Sequence, residues 1–268
     1  MRVTRRAALA AGLATFAVPA AADGIRDAAP PATDVAAWRA YEARLRARMA
    51  DAGGGRFDQT AARAAFDLGN AARRAAGAPP LEWHEDLAQA ARAHAGDLAR
   101  RGYVEHLSPE GFDPSHRFWL LARRTIGSPS ENIGYHSGAP VGADHFLRTW
   151  RRSPGHWANL LRASHSHGGY AFVRGPRQAV AVGLYCRPLA ELDEPLPFQA
   201  TGPDIARALR NLPAELRPRL AVPQGSRLGR VEGAPPVMQI TALRRVDVGR
   251  ADVIGGPIFL AAPGPAAG

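Results

Sequence analysis

The chain has 268 residues, a length that allows one large domain or a medium domain with an appendage, and its 46% hydrophobic and 22% charged composition is that of a folded globular protein. All 34 basic residues are arginine and the formal net charge is +10, yet no basic run is interleaved with aromatics, which argues against a nucleic-acid surface and leaves attraction to anionic lipid or polymer open. There is no His-Glu-x-x-His, P-loop, dinucleotide fingerprint or Gly-x-Ser-x-Gly elbow, so the common signatures of zincins, nucleotide enzymes and α/β-hydrolases are missing.

Residues 1–22 read as an export leader. Arg5-Arg6 precede an apolar run from Ala7 to Pro19, and Ala20-Ala21-Ala22 follow as a small-residue cleavage site. Thr4-Arg5-Arg6-Ala7-Ala8-Leu9 resembles a twin-arginine signal. Beyond the leader no apolar run is long enough to span a bilayer, which predicts a mature chain without a transmembrane helix, periplasmic or extracellular. Cys186 is the only cysteine, so this exported chain has no internal disulfide and depends on its core.

Residues 23–59 are expected to hold a Pro-rich lead-in and one helix. Thr33-Asp34 opens it, Val35, Trp38, Tyr41, Leu45 and Met49 form one apolar face, and Gly53-Gly54-Gly55 ends it. This helix precedes the domain that follows and is expected to pack on its outside. A second helix runs from Thr60 to Ala76, anchored by Phe66 and Leu68 and stopped by Gly77. A third, from about Glu85 to Arg100, carries the stripe Leu87, Ala90, Ala91, His94 and Leu98. His94 on that stripe reads as a structural histidine with a hydrogen-bond partner.

After His106 comes a loop rich in Ser, Pro, Gly and Asp, and Asp113-Pro114 then caps a short helix with Phe118, Trp119 and Leu120. Val141 to Arg151 predicts a helix with Phe146, Leu147 and Trp150 turned inward. Ser153-Pro154 starts another, with His156 in its first turn and Trp157, Leu160 and Leu161 as anchors. His165-Ser166-His167 reads as a polar loop. The period then changes: Gly169 to Val173 and Ala179 to Tyr185 form a β-hairpin about Arg174-Gly175-Pro176-Arg177. Pro188 to Pro197 marks a boundary. In the remainder, residues 203–212 suggest a helix, and Val237–Ile240 and Ile258–Leu260 suggest strands of an appendage.

The ordered set Asn70 with Arg73 or Arg74, Gly77-Ala78-Pro79-Pro80-Leu81-Glu82-Trp83, Leu87–Ala95, His106, Glu131-Asn132-Ile133, Trp150 and Ser153-Pro154-Gly155-His156 resembles the CAP superfamily of cysteine-rich secretory, antigen 5 and pathogenesis-related 1 proteins, in its bacterial branch. Periodicity alone supports mixed α and β. The resemblance implies the α+β class, a three-layer α-β-α sandwich of the CAP type over residues 60–187, with 188–268 as a C-terminal extension.

The resemblance also implies a cleft lined by His106, His156 and Glu131, with a divalent, zinc-like cation or a small apolar ligand held there. Two neutral imidazoles and a carboxylate are the inventory of an open three-ligand zinc site. The eukaryotic pattern has a second glutamate where this chain has Ser153, so that tetrad is incomplete. Two functions follow from the resemblance. One is a binding or interaction module whose partner is a small ligand, a lipid or an envelope component. The other is a metal-dependent hydrolase, protease or esterase, in which His106 and His156 hold the metal and Glu131 is ligand or base.

Overall fold

In the computed structural model, residues 29–227, 236–247 and 250–262 are described; the leader at residues 1–22 lies outside them. The elements run in the order α1 (Val35–Arg48), β1 (Arg56–Phe57), α2 (Gln59–Ala75), β2 (Glu82–Trp83), α3 (Glu85–Arg101), α4 (Pro114–Leu121), β3 (Thr125–Ile126), β4 (Ser130–Ser137), α5 (Ala143–Arg152) and α6 (Pro154–Leu161). They continue with β5 (His167–Arg174), β6 (Gln178–Cys186), β7 (Ala190–Glu191), β8 (Gln199–Ala200), α7 (Gly202–Ala208), β9 (Arg219–Ala221), β10 (Val237–Asp247) and β11 (Arg250–Ala261).

The central sheet has the order β1-β5-β6-β4, antiparallel throughout, with β2 added in parallel to β5. Successive side chains of a strand point to opposite faces, and here both faces are covered. Ala171, Val173, Val180, Val182, Leu184 and Cys186 pack with α1, α3 and α4, whereas Tyr170, Phe172, Ala179, Ala181 and Tyr185 pack with α2 and α5. That alternation makes a three-layer α-β-α sandwich. It also explains why β5 and β6 read as continuous apolar runs, since neither face meets water.

Close approach of the layers depends on two glycines. A Cβ on Gly169 would sit 2.2 Å from the Ala88 nitrogen of α3, and one on Gly134 would sit 2.3 Å from the Phe146 ring of α5. A side chain at either position forces its helix away from the sheet.

Three expectations need correction. Helix α1 is not an outer cover: Trp38, Tyr41 and Leu45 are buried in the main core, where the Tyr41 and Phe112 rings stack at 3.9 Å. Leu68 is not an anchor of α2, since it is 41% exposed; Ala61, Ala62, Ala65 and Gly69 form the buried stripe instead. Trp157 is only half-buried, because α6 turns Asn159 and Leu160 inward.

The C-terminal residues build a second sheet, in the order β8-β11-β10-β9. Its two faces divide the same way. Val237, Ile258 and Leu260 enter the main core, and Ile240, Ala242 and Phe259 join Ile126, Leu192 and Leu196 in a separate cluster. The extension is thus fastened to the domain by shared apolar surface.

Trp150 is fully buried, and its indole N–H donates to the Ile133 carbonyl of β4 at 3.0 Å. Trp150→Ala removes a large core side chain and leaves that carbonyl unpaired, so we expect a loss of about 3–5 kcal/mol. Urea unfolding of the two proteins measures it.

Candidate functional site

The site forms at the Ser130 end of β4, the edge strand of the central sheet. Adjacent residues there face opposite layers. Glu131 and Ile133 point to the α3/α4 side, and Asn132 to the α6 side, where its amide donates to the His156 carbonyl at 2.9 Å. No element was expected over Ser130–Ser137; this segment is a strand, and Glu131 is a β-strand residue.

Glu131 is the hub of the first side. Its side chain is 1% exposed, and the Arg117 Nη2 of α4 donates to both oxygens, at 3.0 and 2.9 Å. His106 Nδ1 donates to Oε1 at 2.8 Å from the loop after α3. His94 Nε2 of α3 lies 3.8 Å from Oε1 and donates to the Glu105 carbonyl at 3.0 Å, the structural role expected for it. Burial alone would raise the Glu131 pKa, but the Arg117 charge and the His106 hydrogen bond overcome it and hold the carboxyl at about 2. The same carboxylate keeps Arg117 protonated despite complete burial. His94 is pushed down to about 3 by burial and by Arg117, so its ring is neutral.

On the second side, Ser153 is the N-cap residue of α6 and Pro154 its first residue, as the Ser-Pro pair predicts. The Ser153 side chain, however, makes no capping bond; its hydroxyl lies 2.9 Å from His156 Nδ1. Burial, followed by the nearby His106, lowers the His156 pKa. Asn159 donates to Asn132 Oδ1 at 3.0 Å and to the Glu131 carbonyl at 3.4 Å.

The fold brings His106, Glu131 and His156 onto one open cavity of about 360 Å³, with Ser130, Asn132, Ser153 and Asn159 on its walls. They do not form a three-ligand metal set. Both Glu131 oxygens are committed to Arg117 and His106, and a cation bound to them would face a buried guanidinium. Among the described residues no group of three or more His, Cys, Asp or Glu side chains is arranged to hold a metal ion. The lining also carries no large apolar side chain, which disfavours the apolar ligand expected there.

Sequence reasoning missed Arg117, the charge that sets the state of the site. A signal existed: Arg117 follows the Asp113-Pro114 cap by one turn and abuts the apolar run Phe118-Trp119-Leu120, an odd place for a solvated arginine. It also left Arg73 and Arg74 undistinguished. Arg73 is fully buried and donates to the carbonyls of Pro79, Leu160, Arg162 and His165, whereas Arg74 is exposed.

Both buried ionisable groups make the fold acid-sensitive. His94 has a folded pKa below its unfolded value of 6.5, so the unfolded chain binds more protons and stability falls as pH drops from 6.5 towards about 3. Glu131 adds stability that is complete above its unfolded value of 4.5 and lost as pH falls towards about 2. His94→Gln should flatten the upper part of that decline in urea midpoints measured from about pH 7 to about pH 4. Glu131→Gln leaves Arg117 buried without its counter-charge and should cost about 3–5 kcal/mol at pH 7.

Residues 66–186 match the family described as CAP, the cysteine-rich secretory protein family. The Bacillus subtilis (strain 168) protein named "Uncharacterized protein YkwD" is 32% identical over 110 residues, which are 40% of this chain and 40% of that protein. The matched region thus spans well under half of the curated relative. Among solved structures, an SCP-domain extracellular protein of Bacillus anthracis str. Ames aligns at 24% identity over 48% of this chain and 41% of that one, with a TM-score of 0.42. An outer surface protein of Borrelia burgdorferi aligns at 15% identity over 50% of this chain and 98% of that one, with a TM-score of 0.43. Residues 66–186 thus form a domain of the CAP family, and the segments on either side of it lie outside the match.

Proposed function

We propose that this chain is an exported binding module of the cell envelope or the extracellular space, and that its His106–Glu131–His156 cleft takes a small polar ligand or a polar envelope component. The observation that carries the reading is the state of Glu131. A carboxylate held at about 2 and bridged to Arg117 neither gives nor takes protons near neutral pH. What it does well is orient the His106 ring, whose other nitrogen is left for a ligand, next to serine and asparagine side chains that donate and accept. The Arg5-Arg6 leader supports export. Among the described residues no helix is long and apolar enough to cross a membrane.

A hydrolase is the second reading, favoured by the Ser153 hydroxyl 2.9 Å from His156 Nδ1 in the same cleft. It is the weaker of the two, since a nucleophile–base pair needs a third group to orient the base, and His156 has no carboxylate partner among the described residues.

Two experiments test the proposal. Co-sedimentation of the purified protein with bacterial envelope fragments should show saturable binding. The His106→Ala/His156→Ala double variant should lose about tenfold in affinity, the equivalent of one or two ligand hydrogen bonds. Equal binding by the variant overturns the cleft as the site. Casein and p-nitrophenyl ester assays, with and without chelator, should show no turnover that Ser153→Ala or chelation removes; such turnover would establish the hydrolase instead. For export, a reporter fused to the leader should lose its signal outside the cytoplasm when Arg5 and Arg6 become lysine, and unchanged export would mark the leader as a general secretory one.

A further inference from the structure

A second concave site lies where the C-terminal extension meets the domain. It shares a wall with the cleft: Ser130 lines the cleft, His165 lines the second recess, and Ser130 Oγ is 3.2 Å from His165 Nε2. The recess has a volume of about 300 Å³. Three arginines converge on it from distant parts of the chain: Arg162 from the end of α6, Arg187 from just beyond β6, and Arg244 from β10. Ser128 and Ser164 add hydroxyls, and no acidic side chain lines the walls.

Two of the three charges are not balanced locally. Arg244 pairs with Asp252 at 2.8 Å. Among the described residues, neither Arg162 nor Arg187 has a carboxylate or a side-chain hydrogen bond. His165, the remaining polar residue of the lining beside Leu189 and Ile254, does not add to the charge: burial, then Arg162 and Arg73, hold its pKa at about 4, so the ring is neutral at pH 7. Arginines that line a concave surface focus a positive potential there, which attracts an incoming anion. Their planar forks match the oxygen spacing of phosphate, and serine hydroxyls add neutral donors.

We propose that this recess is a binding site for a phosphate group, held by Arg162, Arg187 and Arg244 with Ser128 and Ser164. The phosphate is either a free ion or ester or the headgroup of an anionic phospholipid. Both share the same oxygens, so the site recognises either. Arg187 and Arg244 lie outside residues 66–186, so the site belongs to the junction that this chain's extension creates.

The test uses the chain purified after export, in low-salt buffer at pH 7. Calorimetric titration with inorganic phosphate and with pyrophosphate should show saturable binding, tighter for pyrophosphate and weakened by added sodium chloride. Arg162→Gln/Arg187→Gln should weaken it about tenfold or more, and Arg39→Gln, an exposed arginine elsewhere, less than about twofold. Ser164→Glu, which places a carboxylate in the recess, should abolish it and serves as the independent variant if the double variant does not fold. Co-sedimentation with phosphatidylcholine vesicles, with and without phosphatidylglycerol, identifies the source. Capture by the anionic vesicles alone, lost in the same variants, assigns a headgroup; phosphate binding without capture assigns a free phosphate. His106→Ala should leave both unchanged, so the recess and the cleft stand or fall separately. Absence of saturable binding to phosphate, pyrophosphate and anionic vesicles overturns the proposal, as does equal loss in Arg39→Gln and the double variant.

Discussion

The buried Arg117–Glu131 ion pair is the constraint around which the site is built. Both side chains are 1% exposed, so each charge is tolerable only because the other is there. The pair joins a helix to the edge strand of the sheet, and its remaining hydrogen-bonding capacity reaches outward. Arg117 also donates to the carbonyls of Phe112 and His106, and Glu131 accepts from His106. The loop that carries His106 is therefore held at both its backbone and its imidazole by one charged unit. A neutral pair could fill the same volume, but it would not hold the His106 ring against a full negative charge.

Strand β4 converts that anchor into a cleft. Because neighbouring residues on a strand face opposite layers, Glu131 and Asn132 couple the two helical layers at a single point of the edge. The exposed edge is itself satisfied from the α5/α6 layer: Trp150 donates to the Ile133 carbonyl and Asn159 to that of Glu131. Side-chain donors so placed cap a strand that would otherwise offer unpaired carbonyls to another chain. Arg73 gathers four backbone carbonyls, from Pro79 in the loop after α2, Leu160 near the end of α6, and Arg162 and His165 just beyond it, Arg162 also lining the arginine recess. Lysine could not span these acceptors, since it lacks the planar fork.

The segments flanking the family domain are integral to it. Helix α1 supplies three large side chains to the main core, and the second sheet supplies Val237, Ile258 and Leu260 to it. Without disulfides, this added apolar burial contributes to the stability of the fold, and the single cysteine, Cys186, is itself buried in that core with its thiol pushed up to about 12 by desolvation. The docking of β10 and β11 against the domain completes the arginine recess, since these strands supply Arg244 and Ile254 to the lining that Arg162 and Arg187 share.

Helices α2, α3, α5 and α6, and the hairpin of β5 and β6, were legible in the sequence because each rests on local information: a repeat of 3.6 or 2, a cap, a glycine stop. The ordered motifs identified the superfamily for the same reason, as they are linear patterns. Strand β4 was not legible, because Ser130-Glu131-Asn132-Ile133-Gly134-Tyr135 is too polar to read as a strand, and its pairing with β6 joins residues far apart in the chain, such as Glu131 and Leu184. The burial of α1 was hidden too, since its apolar face says that it packs but not against what. The same limit applied to the site. His106, Glu131 and His156 could be nominated from their chemistry, but whether Glu131 is a free ligand or a paired structural charge depends on Arg117, which only the tertiary fold brings within hydrogen-bonding distance. A sequence specifies which side chains can carry charge; which charges meet, and so which protonation states and ligands are available, is decided by long-range packing.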